Sequence, residues 1–218
     1  MNYFIFPEAD TTLYQATGSG NTAIGFEAGK ILQGSASTNT LVGAYAGDAL
    51  TTGSTSTAVG FEALKANTTG NNNVFIGSQS GKDNTSGNFN LCLGFKSGFT
   101  NQTGEKNIMI GHLTGENTGS SISKCILIGN EAGKSNRSDE LICIGHTSGK
   151  SNTTGAENIF IGSQSGVDNN EGSHNNFIGY RSGFKNTEGD DNIFLGNDSG
   201  HTNESGNRNI VAQINIDA

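Results

Sequence analysis

The 218-residue sequence predicts an all-β fold, a parallel β-solenoid or β-roll of about 11 coils of about 17 residues each. Glycine recurs at intervals of 16 to 18 residues, and a short run of β-branched and aromatic residues precedes each of these glycines. Asn, Thr, Ser and Gly fill the segments between. Units of nearly equal length satisfy their backbone by stacking in register. One unit is therefore predicted to contain a strand, a tight bend, a short second segment and an exposed loop.

Glycines define the unit, and the ones that follow an aliphatic residue form its first glycine column. These are Gly25, Gly43, Gly60, Gly77, Gly94, Gly111, Gly129, Gly145, Gly162, Gly179 and Gly196. A second glycine follows four residues later in every unit except the one that has Leu64, and a third usually follows ten residues after the first. Three glycines per unit indicate three places where the backbone turns or closely approaches another segment.

The run before the first glycine column predicts a short strand, as in Asn73-Val74-Phe75-Ile76. Stacking places equivalent asparagines above one another, where their amides can hydrogen-bond. The column four residues before the glycine predicts a first ladder of Asn21, Asn39, Asn73, Asn90, Asn107, Asn158, Asn175 and Asn192. A second ladder is predicted at Asn67, Asn84, Asn101, Asn136, Asn152, Asn169, Asn186 and Asn203.

The column two residues before the glycine is also apolar, so the strands are apolar on both faces. A coil of this size encloses only one face, and the other would leave an apolar stripe along the rod. We therefore predict an obligate homo-oligomer, a parallel trimer about the rod axis. The residues assigned to the oligomer interface or core are Phe75, Met109, Leu127, Phe160, Phe177 and Phe194.

Composition excludes several classes of partner. The net charge is -8 with Lys and Arg scattered singly, so neither nucleic acid nor an anionic membrane is an expected partner. No apolar stretch is long enough for membrane insertion. Cys92, Cys125 and Cys143 lie in apolar runs and are predicted to be buried packing residues rather than disulfides, metal ligands or nucleophiles.

No catalytic motif is found, so we predict no enzyme activity, no catalytic residues, no cofactor and no metal. Calcium at Asp190-Asp191 or Asp198, and an ion held by three copies of His112 or His146 around a threefold axis, are weaker alternatives. If the protein binds a host glycan or surface protein, the contact residues are expected on the loops or at the end of the rod. The candidates are the aromatics Phe99, Tyr180 and Phe184 with Lys96, Arg181 and Lys185, and packing against the neighbouring coil is the competing interpretation.

Units such as Asn73–Gly77 and Asn158–Gly162, each followed by a small residue and a further glycine, resemble the head repeats of trimeric autotransporter adhesins of the YadA-like type. They are also similar to glycine-rich repeats of phage tail fibres. The resemblance covers about residues 21–212 and implies a left-handed parallel β-roll in a tightly wound trimer that attaches to a host surface. The unit here is longer than the adhesin head repeat, which implies a larger loop per coil.

The start of the chain shows no export signal, which favours a virion fibre assembled in the host cytoplasm. A bacterial cell-surface adhesin head and a glycan-degrading, tailspike-like enzyme are the alternatives. Residues 1–20 are expected to cap the first coil or to dock onto other virion proteins, residues 21–212 to form the solenoid, and residues 213–218 to be a tail.

Overall fold

The computed structural model describes residues 1–5 and 15–213. Within these ranges all regular structure is β, without a helix. The strands are β1 (Tyr3–Ile5), β2 (Gln15–Ala16), β3 (Thr22–Ile24), β4 (Gln33–Gly34), β5 (Thr40–Val42), β6 (Thr57–Val59), β7 (Val74–Ile76), β8 (Leu91–Leu93), β9 (Ile108–Ile110), β10 (Ile126–Ile128), β11 (Ile142–Ile144), β12 (Ile159–Ile161), β13 (Asn176–Ile178), β14 (Ile193–Leu195) and β15 (Ile210–Ala212).

Thirteen strands form one parallel sheet in the order β1-β3-β5-β6 and then consecutively to β15, and β2 pairs with β4. Each strand pairs in register with the equivalent strand of the next coil, so that Phe160 lies beside Phe177 and Phe177 beside Phe194. Strands β3 and β5 to β14 end directly before the eleven glycines of the first column. The predicted parallel solenoid of about 11 coils is confirmed.

The middle residue of β3 and of β5 to β14 points into the coil and is buried. The residues predicted at an oligomer interface or core, Phe75, Met109, Leu127, Phe160, Phe177 and Phe194, are at most 1% exposed in the single chain. They form the core of the stack, so their assignment to an interface is wrong. Glycine on the opposite wall makes room for them.

The first and third residues of the strands form the outer face of the sheet, and they are half-buried or exposed from β3 to β14. From β7 to β14, Asn176 is the only residue of this face that is not Val, Leu or Ile. One apolar face of the sheet therefore stays outside the coil, as predicted. The side chains on that face are the aliphatic first and third residues of the strands, and the phenylalanine column points inward. Because side chains alternate along a strand, a three-residue strand whose middle side chain points inward turns its first and third side chains outward.

The first asparagine ladder is present where asparagines occupy successive coils, as from Asn73 to Asn107, and it is interrupted where Ser56, Cys125 and Leu141 take the position. The side-chain oxygen of Asn175 accepts hydrogen bonds from the backbone N–H of Asn192 at 2.9 Å and from its side-chain amide at 3.1 Å. The Asn175 amide in turn donates to the carbonyl of Gly189 at 2.7 Å. These buried groups satisfy one another from coil to coil, which meets the requirement that buried polar atoms find partners.

The second ladder joins amide to amide from Asn136 to Asn203, with distances of 2.7 to 2.8 Å between successive residues. In its earlier members the side-chain amides donate to backbone carbonyls, from Asn67 to Gly70 and from Asn84 to Asn101, and not to the amide of the next asparagine. Thr118 takes the asparagine position between the two parts of the column and interrupts the chain of amides. The second ladder is thus confirmed for its C-terminal half.

The first glycine column is required by close contact between coils. Gly94 has a φ of 128°, and a Cβ atom there would lie 2.3 Å from the carbonyl oxygen of Gly111. Two further columns adopt left-handed backbone without glycine, one two residues after the glycine and one two residues before the strand. Arg181 (φ 51°) and Lys106 (φ 60°) represent them. The left-handed non-glycine residues have no obvious sequence signature.

Strand β1 pairs with β3, so residues 3–5 extend the sheet beyond the first coil. The rest of the apolar opening, from Phe6 through Pro7 to Leu13 and Tyr14, lies outside the described residues, as does most of the 213–218 tail. The division of the chain at residues 20 and 212 stays a prediction.

Candidate binding surfaces

The six predicted contact residues lie in two groups on the lateral surface of the solenoid. We call Phe95, Lys96, Phe99 and His112 the first aromatic cluster, and Tyr180, Arg181, Phe184 and His201 the second aromatic cluster. Five coils, or about 24 Å at about 4.8 Å per coil, separate the two. A single chain therefore does not bring all six residues into one site.

In the first aromatic cluster, the Lys96 ammonium lies 5.6 Å from the centroid of the Phe95 ring and 5.2 Å from that of Phe99. It also pairs with Glu116 at 3.4 Å. The ring of His112 stacks on Phe95 at a centroid distance of 5.5 Å. Lys96 is thus held by contacts within its own chain, as the packing interpretation expected, while the Phe95 ring stays exposed.

In the second aromatic cluster, the Arg181 guanidinium lies 5.9 Å from the Tyr180 ring centroid and 5.2 Å from that of Phe184. It pairs with Asp198 at 3.5 Å and forms a hydrogen bond with His201. The left-handed backbone at Arg181 directs its side chain outward between the two rings. An ordered guanidinium beside aromatic rings combines hydrogen-bond donors with a flat apolar surface.

The Tyr180 ring is the open part of this cluster, since the residue is 49% exposed. Phe184 is half-buried beneath its stack with His201, whose ring centroid is 5.3 Å away. Lys185 is exposed beside them. The second cluster therefore offers one accessible ring and cationic donors next to it.

A ladder of ion pairs runs along the same lateral surface and was not predicted. Glu62 contacts Lys65 and Lys82 at 2.7 Å each, and Glu131 contacts Lys134 at 3.0 Å and Lys150 at 2.7 Å. The repeated Glu-x-x-Lys spacing, two and five residues after the first glycine, is the signal that would have found it.

The lysines of this ladder lower the pKa of its carboxyl groups. Hydrogen bonds from Lys65 and then Lys82 lower the pKa of Glu62 to about 2, and those from Lys150 and Lys134 do the same for Glu131. Such shifts favour the charged form at neutral pH. The ladder consequently stabilises the lateral surface rather than supplying an acid or a base.

The residues considered for metal binding have other partners. Asp190 accepts a hydrogen bond from the Ser173 backbone at 2.7 Å, and Asp191 lies 3.7 Å from Arg208. His112 contacts Asn130 at 3.1 Å, in the coil that separates it from His146. Over residues 1–5 and 15–213, no three His, Cys, Asp or Glu side chains are grouped so as to hold a metal ion.

The three cysteines are free thiols in the core, as the apolar runs around them predicted. Burial raises the pKa of Cys92 to about 12 and that of Cys125 to about 11, and it raises the pKa of Cys143 as well. A thiol of this kind carries little thiolate at neutral pH. These residues pack between coils.

The described part of the chain contains no helix of the length and apolarity that crossing a membrane requires. Comparison of the chain with family models, with curated proteins and with solved structures found no match.

Proposed function

We propose that the chain is a non-enzymatic fibre protein that mediates or supports attachment to a host surface, as a segment of a phage virion fibre. The observation that carries the proposal is the unbroken parallel sheet of thirteen strands in register. At about 4.8 Å per strand it gives a rod about 58 Å long. A rod that repeats the same contacts in every coil suits a spacer that holds a binding surface away from its point of anchorage.

The second aromatic cluster is the surface that we propose to contact the host. Aromatic rings stack on the apolar faces of sugars, and neighbouring cationic side chains donate hydrogen bonds to hydroxyl groups or pair with acidic substituents. Tyr180 provides such an exposed ring, and Arg181 and Lys185 lie beside it. The proposed ligand is therefore a cell-surface glycan.

A bacterial cell-surface adhesin head is the second candidate. The docking of the N-terminal segment onto other virion proteins stays a prediction, as does the parallel threefold assembly, which excludes an antiparallel pair of chains. A glycan-degrading enzyme is the competing function. Such an enzyme requires two carboxyl groups held about 5 to 9.5 Å apart across a bound sugar.

The proposal can be tested by incubating fluorescently labelled protein with a panel of bacterial strains of different surface polysaccharides. We expect binding to at least one strain without release of polysaccharide, and a loss of about tenfold or more in affinity for Tyr180→Ala, which corresponds to about 1.4 kcal/mol. Phe61→Ala is the matched control, since Phe61 is an equally exposed ring in the same column near the other end of the rod.

Three results would overturn parts of this proposal. Release of polysaccharide would indicate an enzyme, and absence of binding to every strain would indicate a spacer without a receptor. Equal loss of binding in both variants would show that the contact does not depend on the second aromatic cluster.

A further inference from the structure

The outer face of the sheet carries an apolar block from β7 to β14 that water covers in the single chain. Its side chains are Val, Leu and Ile except for Asn176. With the polar columns on either side, eight strands span about 38 Å by about 20 Å, or about 760 Å² per chain. Stable protein pairs bury about 800 Å² per partner, so the apolar block together with these polar columns has about the size of a complete interface.

One edge of the apolar block is formed by the left-handed column two residues before each strand. Beside β9 to β12 this edge carries Lys106, Lys124, Glu140 and Glu157 in that order, all of them exposed. Lys124 and Glu140 contact each other within the chain at 2.6 Å. The sign of the charge thus reverses at the junction of β10 and β11, which is also the midpoint of the block from β7 to β14.

We propose that a second copy of this chain covers the apolar block, antiparallel to the first, around a twofold axis that passes between β10 and β11. Rotation about an axis along the strand direction turns the two outer faces toward each other and sets each edge against its own copy. Lys124 then faces Glu140 of the partner subunit, and Lys106 faces Glu157 of the partner subunit. Each contact occurs twice, which makes four ion pairs at the edge.

The remaining positions of the two edges are compatible with this pairing. On the left-handed edge, Phe89 meets His174 of the partner subunit. On the other edge, the residues directly after the first glycines place Phe95 against Tyr180 of the partner subunit and Asn130 against His146 of the partner subunit. No like charges oppose each other at any of these positions.

A parallel pair lacks this complementarity. Rotation about the rod axis sets the left-handed column of one chain against the residues directly after the first glycines of the other chain. The two residues that then face each other come from the same coil. Lys106 would then face His112 of the partner subunit, and Lys124 would face Asn130 of the partner subunit. Charge complementarity selects register and direction when the buried surface itself is uniform, and here it selects the antiparallel pair.

The same pairing brings β8 of one chain against β13 of the other. The first aromatic cluster of one copy therefore adjoins the second aromatic cluster of its partner, at two symmetric places. The six candidate contact residues, whose two groups lie five coils apart within a chain, would be brought together across the dimer. Use of this combined surface for attachment depends on the proposed function, whereas the pairing does not.

The pairing can be tested on the full chain by sedimentation and by zero-length carbodiimide cross-linking of a mixture of isotopically light and heavy protein. We expect a dimer at micromolar concentration and mixed-isotope cross-links between Lys106 and Glu157. Within one chain β9 and β12 are about 14 Å apart, too far for a zero-length link. A folded monomer, a trimer, or a dimer without this link would overturn the proposal, and none of these readouts depends on binding to cells.

Charge reversal supplies an independent measurement. Lys106→Glu should weaken the dimer about tenfold, because it replaces two attractive contacts by repulsive ones, and adding Glu157→Lys should restore the affinity. Ile144→Asp should dissociate the dimer while the monomer stays folded, and Thr40→Asp on the outer face outside the apolar block is its control. Failure of the double reversal to restore dimerisation would contradict the assigned register.

Discussion

Gly81 lies directly against the ring of Phe75: a Cβ atom on Gly81 would come within 2.1 Å of Phe75 Cε1. The same relationship recurs between Gly183 and Phe177, where the distance would be 2.3 Å. The second glycine column is therefore the wall that leaves space for aromatic side chains inside a narrow coil. The packing density of protein interiors leaves no room for both a methyl group and the ring.

Gly81→Ala should consequently destabilise the protein strongly, by about 3 kcal/mol or more, because strain from the left-handed backbone adds to the clash with Phe75. The measurement is chemical unfolding of the purified variant. Gly119→Ala isolates the backbone effect, since Gly119 has a φ of 72° but its Cβ would be 3.8 Å from the nearest side-chain atom. We expect about 1 to 2 kcal/mol for that control. Equal losses in both variants would show that contact with Phe75 is unimportant.

Phe177 lies between two other rings, 5.2 Å from the centroid of Phe160 and 4.8 Å from that of Phe194. Phe177→Ala should lower the free energy of unfolding by about 3 to 5 kcal/mol, because it opens a cavity in the core of the single chain. Ile178→Ala, on the adjacent outward residue, should cost about 1 kcal/mol when unfolding is followed at a protein concentration low enough to keep the chain monomeric.

These two variants test whether the phenylalanine column lies in the core of the single chain. If Phe177→Ala dissociated an assembly and left the unfolding of the chain unchanged, the column would lie at an interface after all.

The ion-pair ladder predicts loss of stability in acid. Because the pKa of Glu62 in the folded chain is about 2, below its ordinary value of 4.5, its contribution to stability is fully present above about pH 4.5 and is lost as the pH falls toward 2. Glu62→Gln should therefore lower the melting temperature at pH 7 by about 2 to 4 °C and have less effect near pH 2. Glu188→Gln, in an exposed loop, controls for the removal of one negative charge. A difference between the two variants that does not shrink with acid would contradict this role of Glu62.

The repeat could be predicted from the sequence because its physical requirements leave fixed marks. Close contact between successive coils admits only glycine at positions such as Gly94, and buried amides such as Asn175 hydrogen-bond to the residue in the same position of the next coil, which is often another asparagine. The parallel register follows from those two constraints.

The inward direction of the strands could not be predicted in the same way. The alternation of side chains along a strand places Phe160 and Ile161 on opposite faces of the sheet, but it does not indicate which of them turns inward. The direction depends on Gly166 on the opposite wall of the coil, which leaves space for the Phe160 ring. The left-handed backbone of Arg181, which groups it with Tyr180 and Phe184, has no signature in its residue type. The division of the predicted contact residues into two clusters, by contrast, follows from the repeat itself, since five units separate Lys96 from Arg181.

The in-register stack also makes length a quantity that changes in fixed steps. Every internal coil has equivalent neighbours on both sides, so duplication or deletion of one whole unit preserves the type of each contact and changes the rod by about 4.8 Å. The loops already accommodate units of 16 to 18 residues, whereas an insertion between the strand and the second glycine would shift glycine against side chains and break the stack. The gene of such a protein can therefore lengthen or shorten the rod in steps of one whole unit.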